Sequence, residues 1–314
     1  MKVGLYSITY LGIWYDDPAL TIKEFIHKAK ELGFDGIELD SKRPHANPMD
    51  LDQRARDEIR EELEKTGLEI PAIASNNDFS SPVPEHRESQ LLMVREQARL
   101  ARDLGAKVVR LFAAWPGVTL RDGIAQYEEA RQGWERAYPD VPRLARYRLV
   151  RKCLREAAAF GEEFGVVMAL QNHPPIIRHY QDTLDLVREV DSPWLKVCLD
   201  APLLIHQDDD WVRKAALATG DLQVHSHFGG EFFRDEEGRA QLKSLGLRRP
   251  LTNYPAFLRA MKEIGYEGYF CYEFCHPAVD ENHDPVGIEL IHEQAAMALE
   301  YMRDRIAELE IEGR

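Results

Sequence analysis

The sequence VVMALQNH, at residues 166–173, is a short apolar run that ends in polar side chains. Three later segments have the same form, and they read LKVCLDA (195–201), LQVHSHF (222–228) and YFCYEFCH (269–276). Continuous apolar runs of this length are typical of strands in a parallel sheet that is buried on both faces. Four successive strands with polar ends, separated by helical segments, predict one shared site at a single end of the sheet.

A second pattern recurs along the chain, in which a charged residue, a bulky residue and a glycine precede a strand. Examples are ELGFDGIELD (31–40), DLGAKVVRLF (103–112) and EIGYEGYFCYE (263–273). Glycine ends a helix at such a place because it adopts the left-handed backbone conformation without a steric penalty. The repeat therefore predicts a chain of alternating helices and strands.

Eight strands are predicted, with starts near residues 2, 36, 69, 107, 166, 195, 221 and 268. A helix after each strand makes this an α/β chain, and eight such units predict a (β/α)8 TIM barrel. We expect a single domain over residues 1–314, with the barrel at about 2–308. Two longer connections predict insertions at 114–145 after strand four and at 229–253 after strand seven. Both follow the carboxyl end of a strand, so both are expected over the catalytic face.

An open doubly wound sheet is the alternative fold, since it also alternates helices and strands. That fold carries a glycine-rich GxGxxG turn after its first strand. The first strand here, KVGLYSI (2–8), is not followed by such a turn. The barrel is therefore favoured.

The composition favours a soluble enzyme that acts on a small molecule. Hydrophobic residues make up 44% of the chain and charged residues 30%, and the net charge is −14. This acidic balance argues against a nucleic-acid or anionic-membrane partner, both of which need clustered Lys and Arg. No run approaches the roughly 18 apolar residues of a membrane span. The immediate first strand leaves no room for a signal peptide, and most cysteines lie in strand-like segments, so we expect a cytoplasmic protein with reduced thiols.

Side-chain alternation along each strand decides which polar ends point the same way. It places Gln171 and His173 on one side of strand five, and puts Asp200, His227 and Glu273 at the ends of the next three strands. Carboxylate, imidazole and amide groups together suit Mn²⁺, Mg²⁺, Zn²⁺ or Fe²⁺. We predict one divalent ion bound by Asp200, His227 and Glu273. Gln171 is predicted to be a fourth or outer ligand, and a hydrogen-bonded buried polar group is the alternative for each residue taken singly.

Polar and aromatic residues near the other strand ends are candidates for a sugar pocket, because sugars need hydrogen bonds beside an aromatic ring. The substrate-binding candidates are His45, Asn77, Asp78, Trp115, Glu231 and His276. Loop packing or capping is the alternative for each of them. Tyr6, Glu38 and Asp40 stay open between core or ion-pair roles and a place in the site.

Several longer strings carry a resemblance to known families. Over essentially its whole length the chain resembles the xylose-isomerase-like superfamily of sugar phosphate isomerases and epimerases. More narrowly, ALQNH, CLDA, HSHFGGE and YEFCHP resemble the α subunit of bacterial C-glycoside deglycosidases. The strings YLGIWYD (10–16), KRPHANP (42–48) and NNDFSSPVPEHRE (76–88) do so as well.

The resemblance implies a metal-dependent lyase that cleaves the carbon–carbon bond between an aromatic aglycone and C1 of a 3-oxo-glucosyl unit. It implies metal ligands at Gln171, Asp200, His227 and Glu273, with Mn²⁺ as the first candidate, and a smaller β-type subunit as partner. The alternatives are an ordinary metal-dependent sugar isomerase, epimerase or dehydratase, and a non-catalytic subunit of a complex.

The chain departs from the family at Gln171, where isomerases and epimerases carry a glutamate that also moves the substrate proton. An amide cannot act as a base at neutral pH. His173, on the same face, is the predicted replacement base because an unperturbed imidazole titrates near 6.5. Glu273 is the second predicted catalytic group.

The two insertions bear on the predicted partner. They carry five aromatic residues that a soluble chain has to cover, namely Trp115, Trp134, Tyr138, Phe232 and Phe233. A partner subunit is one way to cover them. A lid that folds back over the substrate is the alternative.

Overall fold

Eight parallel strands close into a barrel in the computed structural model, which describes residues 1–244 and 250–312. The strands are β1 Lys2–Tyr6, β2 Gly36–Asp40, β3 Ala72–Ala74, β4 Val108–Leu111, β5 Val167–Gln171, β6 Leu195–Cys198, β7 Gln223–Gly229 and β8 Tyr269–Glu273. Each begins at or just after its predicted start. Strand β8 pairs with β1, with Val3 beside Phe270, so the sheet has no free edge. The predicted (β/α)8 barrel is confirmed, and the open doubly wound sheet is excluded.

Helices follow the strands around the outside of the barrel. They are α1 Ile22–Leu32, α2 Gln53–Thr66, α3 Pro84–Leu104, α4 Tyr127–Ala137, α5 Arg143–Phe164, α6 Tyr180–Val190, α7 Asp209–Thr219, α8 Tyr254–Glu263 and α9 Ile288–Glu312. The glycine pattern marks their ends as predicted, since Gly33 and Gly105 cap α1 and α3 in the left-handed conformation with φ of 95° and 83°. None of the helices in the described ranges is long and apolar enough to cross a membrane.

The first insertion lies after β4 and forms a two-stranded hairpin followed by α4. The hairpin pairs Thr119–Arg121 with Ile124–Gln126. Helix α4 contacts the loop between β3 and α3 through Trp134. The Nε1 of Trp134 donates a hydrogen bond of 3.1 Å to Oδ2 of Asp78 in that loop. The guanidinium of Arg146 lies 4.4 Å from the centre of the Trp134 ring. Contacts within the chain therefore cover part of the aromatic surface that motivated a partner subunit.

The second insertion begins after β7 as a hairpin that pairs Phe232–Arg234 with Ala240–Leu242. Phe232 is buried, and the side chain of Gln294 on α9 bonds both its backbone N–H, at 2.7 Å, and its carbonyl, at 3.1 Å. Phe233 is exposed. Residues 245–249 of the predicted insertion lie outside the described residues. The hairpin docks on the chain's own last helix, and the predicted β-type partner stays a prediction.

Candidate metal centre and active site

Three of the predicted metal ligands meet at the carboxyl ends of β5, β6 and β7. Oδ2 of Asp200 lies 3.0 Å from Nδ1 of His227, and Oδ1 accepts a hydrogen bond of 2.7 Å from the His227 backbone N–H. The side-chain amide of Gln171 donates to Oδ2 of Asp200 and lies 3.3 Å from Nδ1 of His227. All three side chains are buried. The strand-end pattern thus brings Gln171, Asp200 and His227 into one cluster.

The other ring nitrogen of His227 points across the barrel. Its Nε2 lies 2.8 Å from Oε2 of Glu38, and Nε2 of His225 lies 2.8 Å from the same oxygen. Glu38 is on β2, which does not neighbour β7 in the sheet, so these bonds cross the barrel interior. Burial opposes a charge on His227, but the carboxylates of Glu38 and Asp200 outweigh it and raise the pKa of His227 well above its usual value.

The donor set fits a divalent cation. Nδ1 of His227 and Oδ2 of Asp200 face each other, and two electron-pair donors at this separation need a proton or a metal ion between them. Oε1 of Gln171 is buried and has no hydrogen-bond partner among the described residues. Cys198, Asp200 and His227 each offer one ligand atom, and these atoms lie within 4.8 Å of one another. Burial raises the pKa of the Cys198 thiol, so the oxygen and nitrogen donors are the better ligands.

Glu273, the fourth predicted ligand, ends β8 beside Gly229 of β7. Glu273 is half-buried. Among the described residues, two groups of side chains lie close enough to hold a metal ion, namely Cys198, Asp200 and His227, and Glu38, His225 and His227. Glu273 belongs to neither group. Burial raises its pKa to about 7, with Asp200 adding to this shift while His227 opposes it. A carboxyl group that titrates near neutrality suits proton transfer. The raised pKa is compatible with the predicted catalytic role of Glu273, and both that role and its role as a ligand stay predictions.

His173, the predicted base, lies among aromatic rings just past the end of β5. Its ring centre is 4.8 Å from that of Phe112, 5.4 Å from that of Trp115 and 5.7 Å from that of Tyr127, each in an edge-on arrangement. Nδ1 lies 2.5 Å from the carbonyl of Pro174 and therefore carries the proton, which leaves the Nε2 lone pair free. Burial lowers the pKa of His173 to about 4, so the ring is neutral near pH 7 but is a weaker base than the unperturbed imidazole expected from the sequence.

Trp115 is the substrate-binding candidate that shares this aromatic group. Its ring stacks on Phe112 at 4.8 Å and on Tyr127 at 5.5 Å. It is only half-buried. A partly exposed aromatic ring beside a histidine can pack against the apolar part of a sugar ring, so Trp115 stays a candidate.

Asn77 and Asp78 have structural partners instead. The Asn77 side chain bonds both backbone groups of Phe112, donating to its carbonyl at 2.6 Å and accepting from its N–H at 3.0 Å. Oδ1 of Asp78 accepts from the backbone N–H and the hydroxyl of Ser80, and its Oδ2 accepts from Trp134. These contacts support the capping and packing alternative for both residues, and their role in substrate binding stays a prediction.

Replacing Asn77 with alanine should therefore lower the stability of the protein. It would leave two buried backbone groups of Phe112 unpaired, which costs about 1–3 kcal/mol. Urea unfolding monitored by circular dichroism measures the change. Asn76→Ala is the control, because this half-buried neighbour makes a single side-chain bond, to Asp40. Unchanged stability with a raised KM in Asn77→Ala would instead support substrate binding.

The remaining substrate-binding candidates lie in different surroundings. His45 is buried, with Nε2 at 2.9 Å from the Leu20 carbonyl and its ring stacked on Phe25 of α1, so its contacts support a packing role. Glu231 accepts a bond of 2.8 Å from Lys243, and its Oε1 lies 3.9 Å from Nδ1 of His276. Glu231 and His276 are half-buried and stay candidates at the mouth of the barrel.

Arg110 is a buried residue of the site that the sequence analysis missed. Its guanidinium donates to the hydroxyl of Tyr6 at 2.7 Å and to the Ser75 carbonyl at 2.8 Å, and the Tyr6 hydroxyl donates to Asp40 at 2.8 Å. It lies 4.1 Å from the centre of the Phe112 ring. The available signal was a charged residue inside the apolar strand VVRL. Arg110, Tyr6 and Asp40 form a chain of hydrogen bonds that joins β4, β1 and β2.

A closed parallel barrel with a buried His and Asp cluster at the carboxyl ends of its strands places this chain among the (β/α)8 barrel proteins. A family model described as "Xylose isomerase-like TIM barrel" matches residues 26–304. This chain therefore belongs to the xylose isomerase-like TIM-barrel family, which confirms the broader of the two resemblances.

Several proteins similar to this chain are described as sugar epimerases. D-psicose 3-epimerase of Ruminiclostridium cellulolyticum is 22% identical over 274 residues, covering 85% of this chain and 82% of that enzyme. A solved structure of a D-psicose 3-epimerase in the presence of D-fructose aligns with a TM-score of 0.70 at 17% identity, covering 98% of this chain and 99% of that chain. The apo 3-keto-D-glucoside 4-epimerase from E. coli aligns with a TM-score of 0.65 at 20% identity, covering 99% of each. The structural likenesses show the fold, and the narrower resemblance to the deglycosidase α subunit is not confirmed.

Proposed function

We propose that this chain is a divalent-metal-dependent enzyme that removes the proton next to the carbonyl of a keto sugar and returns it to give the epimer. The observation that carries this proposal is the buried cluster of Gln171, Asp200 and His227 at the mouth of the barrel. The sugar epimerases among its relatives support epimerisation over the other outcomes of the same chemistry.

In this proposal, metal binding, proton transfer and the exclusion of water are carried out by different residues of the chain. Asp200 and His227 would hold the metal ion, which when bound polarises the carbonyl of the sugar and so acidifies the neighbouring proton. The free Nε2 of His173 can accept that proton. Glu273, with a pKa of about 7, can donate or accept one near neutrality. The aromatic group of Phe112, Trp115 and Tyr127 would exclude water on the His173 side.

A lyase acting on a 3-oxo-C-glycoside is the second candidate, and one residue favours it. The resemblance implies that isomerases and epimerases use a glutamate at the position of Gln171 to move the substrate proton, and an amide cannot do so. Elimination needs one base and one acid: the proton leaves C2, the bond from C1 to the aglycone breaks, and the aglycone carbon receives a proton. His173 and Glu273 are sufficient for those two roles.

The test compares the two reactions on one preparation. The purified chain, reconstituted with Mn²⁺, is incubated in deuterated water with D-psicose, D-fructose and a 3-oxo-C-glucoside. Deuterium at the carbon next to the carbonyl together with an epimeric product supports epimerisation. Release of the free aglycone supports the lyase. No proton exchange on any of these substrates would contradict the proposed chemistry.

Gln171→Glu is expected to bind Mn²⁺ about tenfold more tightly, because a carboxylate adds ligand charge. It should also lower native turnover by about tenfold, since the site is arranged around a neutral group whose amide donates to Asp200. Isothermal titration calorimetry and steady-state kinetics measure the two effects. Gln171→Leu, of similar volume, is the control and should weaken binding. Unchanged turnover in Gln171→Glu would show that the amide has no special role.

A further inference from the structure

We propose that Glu38 is a positioning residue of the metal centre, and that it holds His227 with the proton on Nε2 and the Nδ1 lone pair directed at the metal. The inference rests on the proposed metal-dependent function and adds a residue to it. Glu38 belongs to β2, on the far side of the barrel from the cluster formed by Gln171, Asp200 and His227.

The geometry of the contact supports this role. Nε2 of His227 lies 2.8 Å from Oε2 of Glu38, while Nδ1 of the same ring lies 3.0 Å from Asp200. Glu38 and His227 are fully buried. The ring of Tyr6 packs against His227 with centres 5.4 Å apart, so the imidazole has little freedom to turn. A histidine that ligates a metal through one nitrogen commonly donates its other N–H to a carboxylate, which fixes the tautomer.

The other partner of Glu38 strengthens the argument. His225 approaches the same carboxylate oxygen with its own Nε2 at 2.8 Å. No Lys or Arg forms an ion pair with Glu38 in the described parts of the chain. The Cys271 thiol also contacts Glu38, but a thiol is a weak donor, so the buried carboxylate depends mainly on these two N–H groups. Glu38 therefore requires a proton on Nε2 of both histidines, and the remaining lone pair of His227 is on Nδ1.

A buried ion pair that only stabilises the fold is the competing interpretation. The two interpretations differ when the carboxylate is replaced by an amide of the same shape. In Glu38→Gln the negative charge that favours a proton on each Nε2 is lost, and an NH₂ group in the place of Oε2 would favour an unprotonated Nε2 on both imidazoles. The positioning role then predicts a weaker metal site, whereas a stabilising ion pair affects the free energy of unfolding alone.

The experiment titrates wild type, Glu38→Gln and Asp40→Asn with Mn²⁺ by isothermal titration calorimetry. Asp40 is the matched control because it is a buried carboxylate on the same strand that bonds Tyr6 and not His227. Glu38→Gln should weaken binding about 10–100-fold, and Asp40→Asn should change it by less than about threefold. If Glu38→Gln fails to fold, Glu38→Asp is tested in its place. Its shorter side chain keeps the charge but moves the carboxylate oxygen away from His227, so it should also bind Mn²⁺ more weakly than the wild type.

A second measurement reports the tautomer directly. In the Zn²⁺-saturated wild type, ¹⁵N correlation spectra should show His227 protonated at Nε2. Equal Mn²⁺ affinity in wild type and Glu38→Gln, or equal weakening in Glu38→Gln and Asp40→Asn, would overturn the positioning role. Absence of binding by the wild type would instead overturn the proposed metal centre, so the two failures are distinguishable.

Discussion

Asp200→Asn is expected to lose its metal ion and to turn over substrate about a thousandfold more slowly than the wild type. Asp200 provides the only anionic oxygens in the cluster with Gln171 and His227. The substituted amide keeps one oxygen to accept from the His227 backbone N–H, so the strand end should stay folded. It cannot supply the negative charge, and a loss of about 4 kcal/mol of transition-state stabilisation corresponds to three orders of magnitude.

Elemental analysis after dialysis and steady-state kinetics measure the two losses. Asp40→Asn serves as the control, since it removes a carboxylate of equal burial from the same barrel and should retain the metal. A full metal complement in Asp200→Asn would place the metal site elsewhere. Loss of metal in both variants would indicate a general effect of interior charge and not a ligand role.

The arrangement of the barrel was predictable from local signals. Most strands contain a short apolar run, and several of the preceding helices end at a glycine such as Gly33, Gly67 or Gly105, so the count and the order of the barrel elements follow from neighbouring residues. Alternation then identifies Asp200 and His227 as inward-facing residues at adjacent strand ends. These features depend on sequence positions that are close together, and for that reason they are recovered without knowledge of the fold.

The cross-barrel contacts were not predictable in the same way. Glu38 meets His227 across the barrel although the two residues are 189 positions apart, and Arg110 meets Tyr6 across 104. No local pattern pairs such residues, because the pairing is set by how the sheet closes. The loop candidates Asn77 and His45 illustrate the converse problem. Their side chains look available in the sequence, but each is used by a backbone group that lies near it only after folding.

Gln171 bears on whether the site catalyses epimerisation or elimination, because it can bind a metal ion but cannot transfer a proton. Its amide donates to Asp200 and leaves one buried oxygen without a partner among the described residues, which is the arrangement expected of a neutral ligand. The same amide cannot move a proton. Under the proposed function the proton-transfer groups lie beside the cluster, and His173 and Glu273 are the candidates for that role among the titratable side chains near the strand ends.

His173→Gln should lower kcat by about 10²–10⁴-fold and leave Mn²⁺ affinity within about threefold of the wild type, because a general base is removed and no ligand is changed. The reason is geometric: Nδ1 is held by the Pro174 carbonyl, so Nε2 is the atom left to accept a proton beside the aromatic group. Steady-state kinetics with matched metal loading measures the effect. His206→Gln is the control, since this exposed histidine packs on Trp211 away from the cluster. Full activity in His173→Gln would rule out His173 as the base and transfer that role to Glu273, which Glu273→Gln would then test.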